Sequence, residues 1–230
     1  MKMRKYIVFS ITILLAFGLA CATYAAPKLY ATGNVLAAGN YNNSATSSDL
    51  TLIIKMTAGN TILIDEGSEV RYLVPTADVN GWTEKNFNDS GWTAGISGVG
   101  YADNDDNTVI TGPVPSVYTR YHFDAPTTNE VTFLVDFDDF YIIWLNGEEV
   151  ARAEAIKNVS PGKAPGFDEL TKAGVTDHES SDTAAGKPNA VRWENARIVK
   201  HVVAVEFDNA TSVSPKAKLT ATWGDIKLAK

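Results

Sequence analysis

Apolar residues recur at every second position over many short stretches of this chain, and long helical faces are absent. Val131, Phe133, Val135 and Phe137 would line one side of a strand, with Thr132, Leu134 and Asp136 on the other. Val199, His201, Val203, Val205 and Phe207 repeat the alternation, as do Leu219, Ala221 and Trp223. Shorter strands are predicted at residues 50–56, 61–64, 70–74 and 117–123, separated by turn-forming clusters such as Ala58-Gly59-Asn60 and Gly112-Pro113. Residues 138–152 read as strand, two-residue reversal and return strand. Asn146-Gly147 suits a type I′ turn, because both residues tolerate the positive φ that this turn requires. The pattern predicts an all-β protein, an antiparallel β-sandwich or jelly roll.

Two regions break the alternation. Residues 80–101 are rich in Gly, Asn, Asp and Trp, and a single helical turn is predicted near 84–89. Residues 160–195 form a long polar insertion between strands, of the length that is usually functional or disordered. The Asn/Ser-rich stretch 39–48 reads as a flexible surface loop or linker, and no internal repeat is predicted.

The start of the chain changes the picture of where the protein works. Lys2, Arg4 and Lys5 precede an apolar run over 7–19 that is short for a membrane span, and small residues follow at 22–26. This predicts a signal peptide over 1–25 and a secreted protein, extracellular or periplasmic, with no transmembrane anchor in the mature chain. Cys21, the only cysteine, raises a lipoprotein alternative, but Gly18 stands where a lipobox carries Leu or a similar residue. An N-terminal strand and flexible segment are expected over 26–49, and one sandwich domain over 50–230. Formal net charge is −7 and no Lys/Arg stripe is visible, which argues against nucleic acid as a partner.

A spaced series carries a resemblance. Trp82, Phe87, Asp89, Trp92, Gly98, Gly100 and Tyr101 are followed by Thr119-Arg120-Tyr121-His122-Phe123, the Asp-Asp to Leu-Asn-Gly hairpin, and His201-Val202-Val203-Ala204-Val205-Glu206. This order resembles the galactose-binding-like jelly-roll domains of secreted bacterial proteins, and more loosely the sugar-binding domain of family 2 glycoside hydrolases. It covers residues 63–209. Val70 stands where such domains often carry Trp, Phe140 replaces a common Gly, and the insertion at 160–195 has no assigned counterpart. The resemblance implies a non-catalytic sandwich, often carbohydrate-binding and often holding a structural calcium. It does not fix a ligand.

Candidate chemistry is sparse. Asp103, Asp105, Asp106 and Asn107 crowd carboxylate and amide oxygens into one loop, which suits Ca²⁺; a solvated acidic turn is the alternative. Tyr101, Tyr118 and Tyr121, with Arg120, Arg192, Trp193 and Glu194, are the candidates for a sugar site built from a ring and flanking polar groups, against ordinary packing. Trp82, Phe87 and Trp92 are expected to pack a loop onto the sandwich, and Trp144 to sit in or near the core. Asp136, Asp138 and Asp139 are read as structural rather than as an acid–base pair. No Ser/His/Asp arrangement or zinc set is present in the spacing of the three histidines. The expected function is a secreted, non-catalytic module that binds carbohydrate at the cell surface or in extracellular matrix. The alternatives are a structural or adhesion subunit making protein contacts, or a glycan-active enzyme using Asp138 or Asp139 with Glu194.

Overall fold

Two antiparallel sheets carry the fold in the computed structural model, which describes residues 26–102, 104–172 and 192–209. The larger sheet runs in the order β12-β11-β2-β9-β5-β6, built from β2 (Asn34–Tyr41), β5 (Glu69–Leu73), β6 (Thr93–Ile96), β9 (Ser116–Phe123), β11 (Phe140–Leu145) and β12 (Glu148–Arg152). The smaller runs β13-β10-β3-β4, from β3 (Thr51–Ala58), β4 (Thr61–Ile64), β10 (Glu130–Asp138) and β13 (Val199–Ala204). Two parallel pairs complete the set: β1 (Lys28–Tyr30) with β14 (Glu206–Asp208), and β7 (Val99–Gly100) with β8 (Thr108–Val109). The sheets form an all-β sandwich, as the alternation predicts.

Period two decides what lies between the layers. Val131, Phe133, Val135 and Phe137 of β10 are buried together with Leu52, Ile54 and Met56 of β3. Phe137 meets Tyr141 of β11 edge-on, with ring centroids 4.5 Å apart. The larger sheet is covered on both faces at β2 and β11, every residue of which is buried. Trp82 forms part of the outer cover, stacking on Tyr118 at 4.1 Å and setting its edge against Trp144 at 5.1 Å. A ring of this size removes roughly 150–250 Å² from water, worth about 4–6 kcal/mol of transfer free energy.

The hairpin closes as expected: Asn146 and Gly147 have φ of 53° and 98°. Gly39 answers a different need. A Cβ there would lie 2.4 Å from the Tyr41 hydroxyl oxygen, so only glycine lets the Tyr41 ring fold back over β2.

Two local readings are corrected. Two consecutive turns over residues 81–87 stand in place of a helical turn at 84–89, with Glu84 N–H donating to Gly81 O and Phe87 N–H to Glu84 O. The stretch 39–48 is not all surface loop, because Asn40 and Asn42 are buried and Asn42 Nδ2 donates to Val114 O and to the Tyr101 hydroxyl. Residues 26–49 hold both β1 and β2, and β2 lies at the middle of the larger sheet between β11 and β9. The predicted signal peptide and the strand at 219–223 lie outside the described residues.

Candidate functional site

Arg120 and His122 stand two residues apart on β9, so their side chains leave the same face of the larger sheet. That face turns toward the 81–92 segment, where Trp82, Phe87 and Trp92 pack the turns down. Asp89 is carried there as the third member of the group. Its Oδ2 accepts from Arg120 Nε at 2.8 Å and lies 2.7 Å from His122 Nε2. Burial pushes the Asp89 carboxyl up, but the bonds from Arg120 and His122 outweigh it and hold the pKa below the ordinary value.

Arg120 is fully buried and its fork is in use. Nη1 donates to Trp82 O and to Glu84 O, and the guanidinium lies 5.3 Å from the Phe87 ring centroid. His122 differs, with 53% of its side chain exposed. Beside it an open cleft of about 440 Å³ runs between β5, β6 and β9, lined by Glu69, Arg71, Gly95, Arg120 and His122 among others. The cleft therefore combines an exposed imidazole, a second guanidinium and a carboxylate on rigid strands. Such planar groups hold adjacent hydroxyls or a carboxylate by paired hydrogen bonds.

A smaller cleft of about 340 Å³ lies at the loop end and includes Asp78, Asn80, Lys163 and Glu169, with Trp82 and Tyr118. It offers no open ring face, because Trp82 and Tyr118 are stacked on each other.

The aromatic platform expected at Tyr101, Tyr118 and Tyr121 does not match where these rings lie. All three are buried, so in this fold they have no face to offer a sugar. The Tyr121 hydroxyl pairs with Ser97 Oγ at 3.2 Å, and the Tyr101 hydroxyl donates to Ser47 O at 3.0 Å. Burial raises the pKa of all three phenols. Of the seven predicted ligand residues, Arg120 lines the larger cleft and Tyr118 the smaller.

Arg192, Trp193 and Glu194 lie elsewhere, in a short turn against the smaller sheet. Arg192 is buried and gathers three carboxylates: Asp136 Oδ2 at 2.5 Å, Asp105 Oδ2 at 3.2 Å and Glu66 Oε2 at 3.3 Å. Burial works against its charge, but the bond and charge of Asp136 prevail and raise its pKa. Trp193 Nε1 donates to Asp65 Oδ1 at 3.1 Å, and Asp65 Oδ2 meets Lys55 Nζ at 3.2 Å. Glu194 is exposed. This group pins the end of the 160–195 insertion onto the sheet and does not meet the tyrosines.

Arg192 also bears on the acidic loop. Asp105 is buried and faces the guanidinium, its pKa raised by burial against the pull of Arg192. Asp106 Oδ1 accepts from Thr51 Oγ1 at 2.8 Å, Asn107 Nδ2 donates to Ser97 O at 2.8 Å, and Asp103 lies outside the described residues. Among the described residues no group of three or more acidic, His or Cys side chains could hold a metal. Asp136 and Asp139 each hold a neighbouring segment: Asp136 takes Arg192, and Asp139 accepts from Asn43 N–H at 2.9 Å and Asn43 Nδ2 at 3.2 Å.

Sequence reading missed Asp89, His122, Glu69 and Arg71 as site residues. The spacing of Arg120 and His122 at i and i+2 on a strand was the available signal. No family profile, characterised protein or solved structure matches this chain.

Proposed function

We propose that this chain is a secreted, non-catalytic module of the galactose-binding-like type, and that it binds carbohydrate in the cleft beside His122. One observation carries the reading: the cleft sets Arg71, Glu69 and the exposed His122 ring around an open space, backed by the buried Arg120–Asp89 pair. Guanidinium and imidazole donate to sugar oxygens while the carboxylate accepts from hydroxyls. Among the described residues no Trp, Tyr or Phe lines the cleft. Three or four such bonds, each worth roughly 1–1.5 kcal/mol net, give about 4 kcal/mol, which corresponds to a Kd near 1 mM for one sugar. Useful retention then requires a repeating polysaccharide, on which several molecules bind side by side.

Affinity electrophoresis through gels containing different polysaccharides tests this. Retardation is expected with at least one polymer and is lost in Glu69→Gln and Arg71→Ala, whose side chains lie on the surface. No retardation with any polymer, or retardation unaffected by both substitutions, rejects the site. A structural subunit is the second reading, favoured by the exposure of Val202 on the edge strand β13.

A further inference from the structure

Strands β2 and β3 form one strand–loop–strand unit that crosses the sandwich. β2 lies between β11 and β9 in the larger sheet, and β3 lies between β10 and β4 in the smaller. No internal repeat is predicted from the sequence alone, yet once the strands are placed, residues 202–223 follow the pattern of residues 35–56, with five of the 22 positions identical. Val35-Leu36-Ala37-Ala38 corresponds to Val202-Val203-Ala204-Val205, and in the same register Asn42, Ser47 and Leu52 meet Asn209, Ser214 and Leu219. The inward row of β3, Leu50, Leu52, Ile54 and Met56, corresponds to Ala217, Leu219, Ala221 and Trp223. Residues 210–223 lie outside the described residues, so there the correspondence is one of sequence.

The two copies have unequal places. Val35, Leu36, Ala37 and Ala38 are buried, whereas Val202 is 55% exposed and Ala204 is exposed on the edge strand β13. An apolar pattern on an open edge is a template for pairing with another chain.

The slot also suits the second copy where the first fits poorly. Asn40 is wholly buried, with neither its Oδ1 nor its Nδ2 hydrogen-bonded, and its counterpart is Phe207. At position 39 the Tyr41 ring would obstruct a side chain, but the second copy has Asp208 in place of Tyr41, so Glu206 gains the space of that ring. Side chains are larger than those of the first copy at Ala38, Asn40 and Met56 and smaller at Leu36, Leu50 and Ile54. Apolar volume is redistributed, which a core tolerates better than a uniform increase.

We propose that residues 201–223 of one molecule enter the β2–β3 slot of a second molecule, joining copies of this chain by strand exchange. Donor and slot are different surfaces, so the contact is heterologous and extends head to tail.

The register fixes the test. Val35 lies opposite His122 on β9, so in the exchanged assembly Val202 of one molecule lies opposite His122 of the next. In the fold described above Val202 instead lies opposite Thr132 of β10, in the other sheet. Full-length chain carrying Cys21→Ser, His122→Cys and Val202→Cys is expected to give disulfide-linked dimers and longer ladders on non-reducing electrophoresis. A bond within one chain overturns the proposal, as does no bond under conditions in which the Val35→Cys, His122→Cys pair closes. Light scattering gives a readout independent of cysteine chemistry: unaltered chain refolded at high micromolar concentration is expected to exceed monomer mass, and Phe207→Asp to return it to monomer. Monomer at every concentration, or undiminished assembly of Phe207→Asp, also overturns it.

Discussion

Arg120→Met is the most direct probe of how the outer cover is held to the larger sheet. Methionine keeps much of the apolar stem but removes the donor fork, leaving the Asp89 carboxylate with His122 alone and the carbonyls of Trp82 and Glu84 without their Arg120 donor. Removing one partner of a buried ion pair costs about 3–5 kcal/mol, most of it from the charge left behind. Total stability for a domain is about 5–15 kcal/mol, so the loss is a large part of it. For a chain of this size each kcal/mol moves the midpoint by about 2–4 °C, giving a fall of about 6–20 °C. Urea denaturation followed by tryptophan fluorescence is well placed to see it, because Trp82 and Trp92 lie in the segment that Arg120 holds. Asp89→Asn in the Arg120→Met background should recover part of the loss, since the stranded charge is gone. A cost below about 1 kcal/mol for Arg120→Met, or strictly additive losses in the double variant, would refute the account.

Three further outcomes follow from the same structure. Burial lowers the His201 pKa below 6.5 in the fold, against the pull of Glu154, while its Nε2 lies 2.5 Å from the Tyr141 hydroxyl. The unfolded imidazole then takes up a proton more readily than the folded one, so stability is full above pH 6.5 and declines as pH falls through the folded pKa. Melting midpoints between pH 7.5 and 5 should fall less in His201→Phe than in the unaltered chain; equal declines would exclude His201 as the cause. Asn40→Val removes an amide with no hydrogen-bond partner from the dry interior, and chemical denaturation should show a gain of about 1–3 kcal/mol, whereas a loss would mean that the amide is satisfied. If Asp103 joins Asp105, Asp106 and Asn107 around Ca²⁺, EDTA should lower the melting midpoint and added Ca²⁺ restore it; an unchanged midpoint removes calcium from the reading.

The parts legible in the sequence were those set by local geometry. Asn146-Gly147 must reverse the chain because both residues accept positive φ, and the alternation at the start of β10 reports directly that Val131, Phe133 and Val135 are buried while Thr132 and Leu134 are only partly so. The full extent of β2 was harder to read, since Ala, Gly and Asn have weak strand preference and burial on both faces erases alternation. The cleft was harder still. Asp89 reaches Arg120 across 31 residues and His122 across 33, and nothing local announces such a meeting. The tyrosines were misplaced for a related reason: an aromatic next to charged neighbours looks the same on a rim and in a core until the strand register is known.

The position of β2 at the middle of the larger sheet has a kinetic consequence. It precedes its partners by long intervals: Thr119 bonds Ala38 across 81 residues, and Asn146 bonds Val35 across 111. Loops of that length must close before the strand gains either neighbour, so collapse is governed by distant contacts and is slow. Until β9 and β11 emerge from synthesis, an apolar ribbon with bare amides waits for them. Holdase chaperones that mask it should raise the yield of native protein.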